Sequence, residues 1–159
     1  MIKIDKKLNP RKTKSHPFWK WFWLTFLIVS LAYAWYSFYV PSNHIKWDNN
    51  ITSVLKVTNN FDKNTVLFFT GEWCVPCRIM KGEVFADEEV HRVINSKFTP
   101  VMIDIDNPKT KELVNHYRIG ATPTTIIVDS KGEVLDFAVG KIEKNKFLEM
   151  LNNVENPNK

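Results

Sequence analysis

Cysteine is nearly absent from this chain, whose 159 residues include only Cys74 and Cys77. There is no second cysteine pair, and the four histidines are scattered without ligand spacing, so a zinc site is not expected. Copper handling by the pair would call for Met- or His-rich neighbours, which are also missing. We therefore expect neither a metal nor an organic cofactor. No cysteine lies near the apolar N-terminal segment, which excludes a lipoprotein anchor.

An excess of positive charge is confined to the N-terminus. The formal net charge of the chain is +5, but residues 1–20 carry a net +6 and the remainder a net −1. A nucleic-acid-binding domain needs a basic face with interleaved aromatic residues on its folded part. The body of this chain shows no such face, so no nucleic-acid partner is expected.

Charge is missing altogether from residues 21–40, which are mostly apolar. Twenty helical residues span about 30 Å, the thickness of the hydrocarbon core of a bilayer. Aromatic residues cluster at both ends, as expected at the two membrane interfaces: Trp19, Trp21 and Trp23 at one, Trp35, Tyr36 and Tyr39 at the other. The segment is interpreted as a membrane-spanning helix.

The basic residues before this helix predict its orientation, because positive charge favours the cytoplasmic side. We expect an uncleaved signal-anchor in the inner membrane, with a cytoplasmic N-terminus and a periplasmic, or otherwise extracytoplasmic, domain. There are two alternatives. A cleavable signal peptide would end at Ala34, where the sequence is A-x-A-like. A buried core helix is disfavoured, because nothing polar interrupts the apolar face.

The chain is accordingly divided into four parts. These are a basic tail (1–20), the membrane helix (21–40), a linker (41–47) and a folded domain (48–155). Within the domain, periodicity and capping signals predict alternating strands and helices. The predicted strands are Thr65–Thr70, Thr99–Ile105, Thr124–Val128 and Glu133–Val139. The predicted helices are 51–58, a helical pattern after Cys74 with Asp87 as the N-cap of a continuing helix, Lys109–Tyr117 and Glu143–Val154. This order predicts an α/β fold with a mixed central sheet between helices.

The two cysteines lie where the first strand passes into a helix. Two intervening residues keep the sulfurs close enough to bridge, and the free N–H groups of a helix start stabilise a thiolate. A thiolate is the attacking species in thiol–disulfide exchange. A structural disulfide is a poor alternative, because a bridge across two residues closes almost no loop. The pair is interpreted as a redox-active dithiol.

Two motifs resemble the thioredoxin superfamily: Trp73-Cys74-Val75-Pro76-Cys77-Arg78 and Gly120-Ala121-Thr122-Pro123-Thr124. The resemblance covers about residues 45–154. It looks closest to small exported members and to the thioredoxin-like domain of transmembrane thiol:disulfide interchange proteins. It implies a thioredoxin-like three-layer fold preceded by the transmembrane helix.

The resemblance also assigns roles to individual residues. Cys74 would be the exposed nucleophile and Cys77 the partially buried resolving thiol, with Pro123 a cis-proline opposite them and Gly140 in the loop beside the substrate groove. Trp73, Val75 and Pro76 would form an apolar rim, and the backbone of Thr122 would pair with an extended client peptide. A plain proline at a strand start is the alternative interpretation of Pro123.

One departure from the family concerns a buried charge pair. Cytoplasmic thioredoxins carry an Asp six residues before the first cysteine and a Lys on the following strand, where this chain has Phe68 and Met102. Losing the buried negative charge should ease thiolate formation at Cys77. It also removes the usual base, leaving Glu72 as the nearest carboxylate for a proton relay through water, unless Glu72 has only a surface role.

The sequence thus predicts a membrane-tethered thiol–disulfide oxidoreductase whose partners are disulfide-containing or dithiol proteins outside the cytoplasm. The resemblance favours a reductase over an oxidase, since the interchange proteins pass electrons outward. The alternative from another class is a non-catalytic chaperone that holds extended clients in the groove around Thr122 and Pro123.

Overall fold

The structure is a computed structural model that describes residues 17–39, 43–48 and 63–156. The predicted helix over 51–58 and most of the basic tail lie outside the described residues. The chain divides into two compact units, Met1–Tyr39 and Val40–Lys159.

The first unit contains one long helix, α1 (Pro17–Phe38). Its segment Phe18–Ser37 has the length and composition of a membrane span, with a mean hydropathy of 1.2. A polar side chain within it, Thr25, donates its hydroxyl to the carbonyl oxygens of Trp21 and Phe22, at 3.0 and 2.9 Å. The helix therefore satisfies this hydroxyl internally, as a hydrocarbon environment requires.

The second unit is built on a four-stranded mixed sheet. Its strands are β1 (Thr65–Thr70), β2 (Thr99–Asp104), β3 (Thr124–Val128) and β4 (Val134–Val139). They lie in the order β2-β1-β3-β4, with β1 parallel to β2 and antiparallel to β3. Every residue of β1 is buried, which explains why its apolar run is continuous rather than alternating.

Helices cover both faces of this sheet. They are α2 (Val75–Glu83), α3 (Glu88–Lys97), α4 (Lys111–His116) and α5 (Lys144–Glu155). Buried residues of α2, α3 and α5 pack with Val66 and Phe68 on one face, whereas Leu113 of α4 packs with Leu67 and Phe69 on the other. The predicted three-layer α/β architecture is confirmed.

The N-cap predicted at Asp87 is confirmed, but the helix that it caps is separate from the helix that starts after Cys74. Helix α2 ends at Glu83, and α3 starts separately with Asp87 as its N-cap, whose carboxylate accepts the N–H groups of Glu89 and Val90. Between the helices, Phe85 turns inward and is fully buried. The break lets this ring enter the core, where a continuing helix would have constrained its direction.

Residues 43–48 pack against the domain. Ile45 is buried in the core, and Asp48 forms a parallel bridge with Val101 of β2. Asn95 of α3 accepts the backbone N–H of Lys46 and donates to the carbonyl of His44. The segment expected as a linker thus contributes to the packing of the second unit.

The centre of the core is aromatic. The ring of Phe85 lies 4.8 Å from that of Phe68, 5.1 Å from Trp47 and 5.5 Å from Phe147, measured between centroids, and all three contacts are edge-on. Edge-on aromatic pairs add stabilisation beyond the area they bury. Phe85 therefore joins β1, α5 and the 43–48 segment on the face that carries α2.

We expect Phe85→Ala to lower the free energy of unfolding by about 3–5 kcal/mol, because the vacated volume is enclosed on all sides. The measurement is denaturant unfolding of the full chain in a mild detergent. Phe137→Ala is the matched control, since Phe137 is 63% exposed and its loss should change stability by less than about 0.5 kcal/mol. Equal effects of the two substitutions would contradict the assignment of the core.

Candidate active site

The two cysteines lie at the start of α2, directly after the turn that follows β1. They are joined by a disulfide. Cys74 is the N-cap of α2, and its sulfur accepts a hydrogen bond from the backbone N–H of Cys77 at 3.2 Å. Pro76 occupies the first turn, where a missing N–H carries no cost. The sulfur of Cys74 therefore occupies the anion-favouring position at the helix N-terminus.

The burial of the pair differs from the expectation. Cys74 was expected to be exposed, but only 2% of its surface is accessible, and Cys77, expected to be partially buried, is fully buried. The prediction for Cys74 is wrong for the disulfide form, because its sulfur is bonded to Cys77 and capped by an N–H, and the residue packs in the core cluster. An attacking thiolate must reach this sulfur between exposed neighbours.

Those neighbours are the apolar residues Trp73, Val75 and Pro76. Trp73 is 64% exposed and Val75 52% exposed, and Pro76 is also exposed. The indole N–H of Trp73 donates to the carboxylate of Asp106 at 2.8 Å, which orients the ring. Asp106 could not be found from the sequence, because it lies 33 residues away and no local pattern links it to the motif.

The Thr122–Pro123 peptide bond is cis, as the resemblance implied. Strand β3 begins one residue later, and Thr124 pairs with Phe69 near the end of β1. Because these strands are antiparallel, the proline turn lies at the same sheet edge from which the chain continues to Cys74. The N–H of Gly140 donates to the carbonyl of Pro123 at 2.7 Å, so β4 ends at this turn as well.

Phe68 and Met102 occupy the positions of the missing charge pair and are register partners in neighbouring strands. Both pack on the face of the sheet that carries α2. Cytoplasmic thioredoxins carry a charge pair at these two positions, and the structure shows that the positions are adjacent. No ionised side chain comes from either position.

Two charged residues lie close to this apolar pair. Glu72, the candidate proton relay, is exposed but borders a cavity that Lys81 and Thr70 also line. Lys81 is half-buried, and this burial lowers the pKa of its ammonium group, an effect that the negative charge of Asp104 partly opposes. Among the described residues, no cluster of three or more His, Cys, Asp or Glu side chains has metal-binding geometry.

A family model for the thioredoxin-like domain matches residues 52–155 of this chain. The chain therefore belongs to the thioredoxin-like family. Membership of this family, together with the Cys74–Cys77 pair, supports thiol–disulfide oxidoreductase activity.

Three known proteins illustrate the similarity. The thioredoxin of Rickettsia bellii is 33% identical over 93 residues, which are 58% of this chain and 82% of that protein. The thiol:disulfide interchange protein DsbD of Neisseria meningitidis serogroup A is 27% identical over 89 residues, 55% of this chain. A solved thioredoxin from Thermus thermophilus superposes with a TM-score of 0.60 at 26% identity, covering 69% of this chain and 86% of that structure.

The DsbD proteins are much longer than the region they share with this chain. The matched region is 15% of the Neisseria protein and 20% of the Actinobacillus pleuropneumoniae DsbD. The similarity confirms the expected resemblance to the thioredoxin-like domain of interchange proteins. It does not extend to the rest of those proteins.

We expect Asp106→Ala to weaken the exchange reaction with protein disulfides. Removing the acceptor frees the Trp73 ring, so the KM for insulin should rise roughly threefold, which corresponds to the lower end of the net contribution of one hydrogen bond. Exchange with a small-molecule disulfide, which does not need the rim, should stay within about twofold. Initial-rate measurements on both substrates test this.

Asp106→Asn is the matched control, because it keeps a side-chain oxygen that accepts the indole N–H. It should retain most of the affinity for insulin. If Asp106→Asn and Asp106→Ala raise the KM equally, orientation of Trp73 by a hydrogen bond is not the cause.

Proposed function

We propose that this protein is a membrane-tethered thiol–disulfide oxidoreductase that reduces disulfides of proteins outside the cytoplasm. The observation that carries the proposal is the hydrogen bond from the Cys77 N–H to the Cys74 sulfur at the start of α2. In the reduced protein the same N–H and helix terminus would stabilise a thiolate on Cys74. A stabilised thiolate that a client disulfide can reach is the requirement for disulfide exchange.

The reaction proceeds by two exchanges. The Cys74 thiolate attacks one sulfur of a client disulfide, the client S–S bond breaks, and the other client sulfur leaves as a thiolate that takes a proton from solvent. The Cys77 thiolate then attacks the Cys74 sulfur, which forms the Cys74–Cys77 bond and releases the second client thiolate. The client gains two electrons, and the protein ends in the disulfide form that the structure has. A dithiol protein must reduce it again.

Client binding is proposed at the edge formed by the proline turn and the apolar rim. The exposed residues Trp73, Val75 and Pro76 lie beside the cysteines, and the strand register brings Thr122 and Pro123 to the same end of the sheet. An extended peptide could pair with the backbone of Thr122 as an added strand. Its disulfide would then lie over Cys74.

The tether is proposed from α1 and the charge around it. The apolar segment Phe18–Ser37 is long enough to span a bilayer, and the ring of Trp23 lies 6.2 Å from that of Trp19 near its N-terminal end. Residues 1–20 would lie in the cytoplasm and 21–40 in the inner membrane as a signal-anchor, so that the domain over 48–155 faces the periplasm. Tethering would raise the effective concentration of the domain for membrane-bound partners.

Single-cysteine variants test the chemistry. Cys74→Ser should abolish insulin reduction, because it removes the attacking sulfur. Cys77→Ser should leave the first exchange intact and accumulate mixed disulfides that non-reducing electrophoresis detects. Full activity of Cys74→Ser would contradict the proposal. Client binding that survives removal of both sulfurs would support the non-catalytic chaperone instead.

The reduction potential tests the direction. Equilibration of the full chain with glutathione should give a potential in the range of thioredoxins and glutaredoxins, about −200 mV or lower, because a reductase must pass electrons to its clients. A value near −120 mV, typical of a strong oxidant, would contradict a reductase role. The measurement discriminates well, since about 30 mV corresponds to a tenfold change in the equilibrium constant.

A further inference from the structure

A cavity of about 270 Å³ lies beneath the turn between β1 and α2. Its walls come from that turn, from α2 and from the end of β2. The principal lining residues are Thr70, Glu72, Lys81, Met102, Asp104 and Asn107. The hydroxyl of Thr70 is buried with no hydrogen-bond partner among the described residues. A space of this size with several polar groups on its wall can hold ordered water.

Lys81 reaches this cavity from the same helix face that carries Cys77. The two residues are four positions apart on α2, a spacing at which side chains are neighbours. The Lys81 ammonium nitrogen lies 6.0 Å from the centroid of the Phe68 ring, within range of a cation–π interaction. Phe68 in turn belongs to the cluster that buries Cys77. The cation therefore lies near the ring of Phe68, the apolar residue that replaces the family's acid, and one helical turn from the resolving cysteine.

The charges that face Lys81 come from two elements. Asp104, at the end of β2, attracts the ammonium, and Glu72 comes from the turn before α2. The 3-10 turn Pro108–Thr110 and the residue before it present only the uncharged Asn107 and Thr110 to the cavity. Asp106 is directed elsewhere, toward the indole of Trp73. Lys81 is thus the positive group at this cavity, and Glu72 at its exposed rim is screened by solvent.

The thiolate of Cys77 requires stabilisation by a positive group. Cys77 is fully buried, and burial in apolar surroundings disfavours the thiolate that must attack the Cys74–client bond. The backbone N–H of Cys77 donates to the Cys74 sulfur, so it does not stabilise a thiolate on Cys77 itself. A nearby cation offsets the desolvation of an anion in a partly buried site, where screening is weaker than in water.

We propose that Lys81 is a positioning residue whose half-buried ammonium stabilises the thiolate of Cys77 during the second exchange. The inference rests on the proposed function. Before the step, the Cys77 thiol loses its proton to water. The thiolate then forms the bond to Cys74, the Cys74–client bond breaks, and its electron pair leaves with the client sulfur. Lys81 remains protonated throughout and forms no bond to sulfur.

The test measures ionisation of Cys77 directly. In full-length Cys74→Ser protein in detergent, Cys77 is the only thiol, and its thiolate absorbance near 240 nm can be followed against pH. Adding Lys81→Met should shift the titration to higher pH and lower the thiolate fraction at neutral pH by about tenfold, since removing a cation disfavours the anion. Lys81→Arg, which keeps the charge, should remain near the parent.

The matched control is Lys146→Met, which removes an exposed lysine of α5 that is paired with Glu149. It should leave the titration unchanged. In the protein with both cysteines, Lys81→Met should slow the release of client from the mixed disulfide by a similar factor and leave the first exchange unaltered. If Lys81→Met lacks the circular dichroism of the parent, Lys81→Gln takes its place in both measurements.

Two results would overturn the inference: an unchanged Cys77 titration in the neutral variant, or a shift of equal size in Lys81→Arg. Both leave the proposed function standing if the parent still reduces insulin through Cys74. Failure of the proposed function has a different signature, because exchange would then be independent of Cys74 whatever occupies position 81.

Discussion

The placement of the Cys74 sulfur at the N-terminus of α2 is the constraint on which the rest of the site depends. The N–H of Cys77 can be directed at that sulfur because the chain leaves the buried strand β1, turns through Gly71 and starts the helix with Cys74 as its cap. The turn is tight: a Cβ on Gly71 would lie 3.1 Å from both the Asp106 carboxylate and the Trp73 indole nitrogen. The same short segment therefore fixes the positions of the Cys74 sulfur and the Trp73 ring, and it lies close to the carboxylate that orients this ring.

The aromatic core packs against the strand and the helix that position the two cysteines. Phe85 joins β1 to α5 and to the 43–48 segment on the face that carries the dithiol, so aromatic contacts hold the strand that ends at the site on this face. The apolar pair Phe68 and Met102 extends this core up to the cysteines. The consequence is a resolving thiol in apolar surroundings, where one half-buried lysine has more electrostatic influence than it would have in water.

Most of the strands and helices could be predicted from local sequence patterns. The strands Thr65–Thr70 and Thr124–Val128 have the predicted bounds, because both are buried on both faces and their apolar signal is continuous. The N-cap at Asp87 was predicted, but the turn before it was not, since Val84 continues the helical spacing of α2 and the packing of Phe85 is a tertiary contact. Residues 41–47 were expected as a linker, because the apolar residues Ile45 and Trp47 are too few to produce a periodic signal.

The sequence by itself determined the class of chemistry and the membrane candidate, because both depend on residues that are neighbours along the chain: two thiols at a strand-to-helix junction, and twenty uncharged residues in a row. Only the tertiary structure decided how accessible and how charged the site is. The burial of Cys74, the pairing of Trp73 with Asp106 and the cavity around Lys81 each join segments that are distant in sequence. Desolvation and charge interactions depend on distances in space, which residue spacing does not encode.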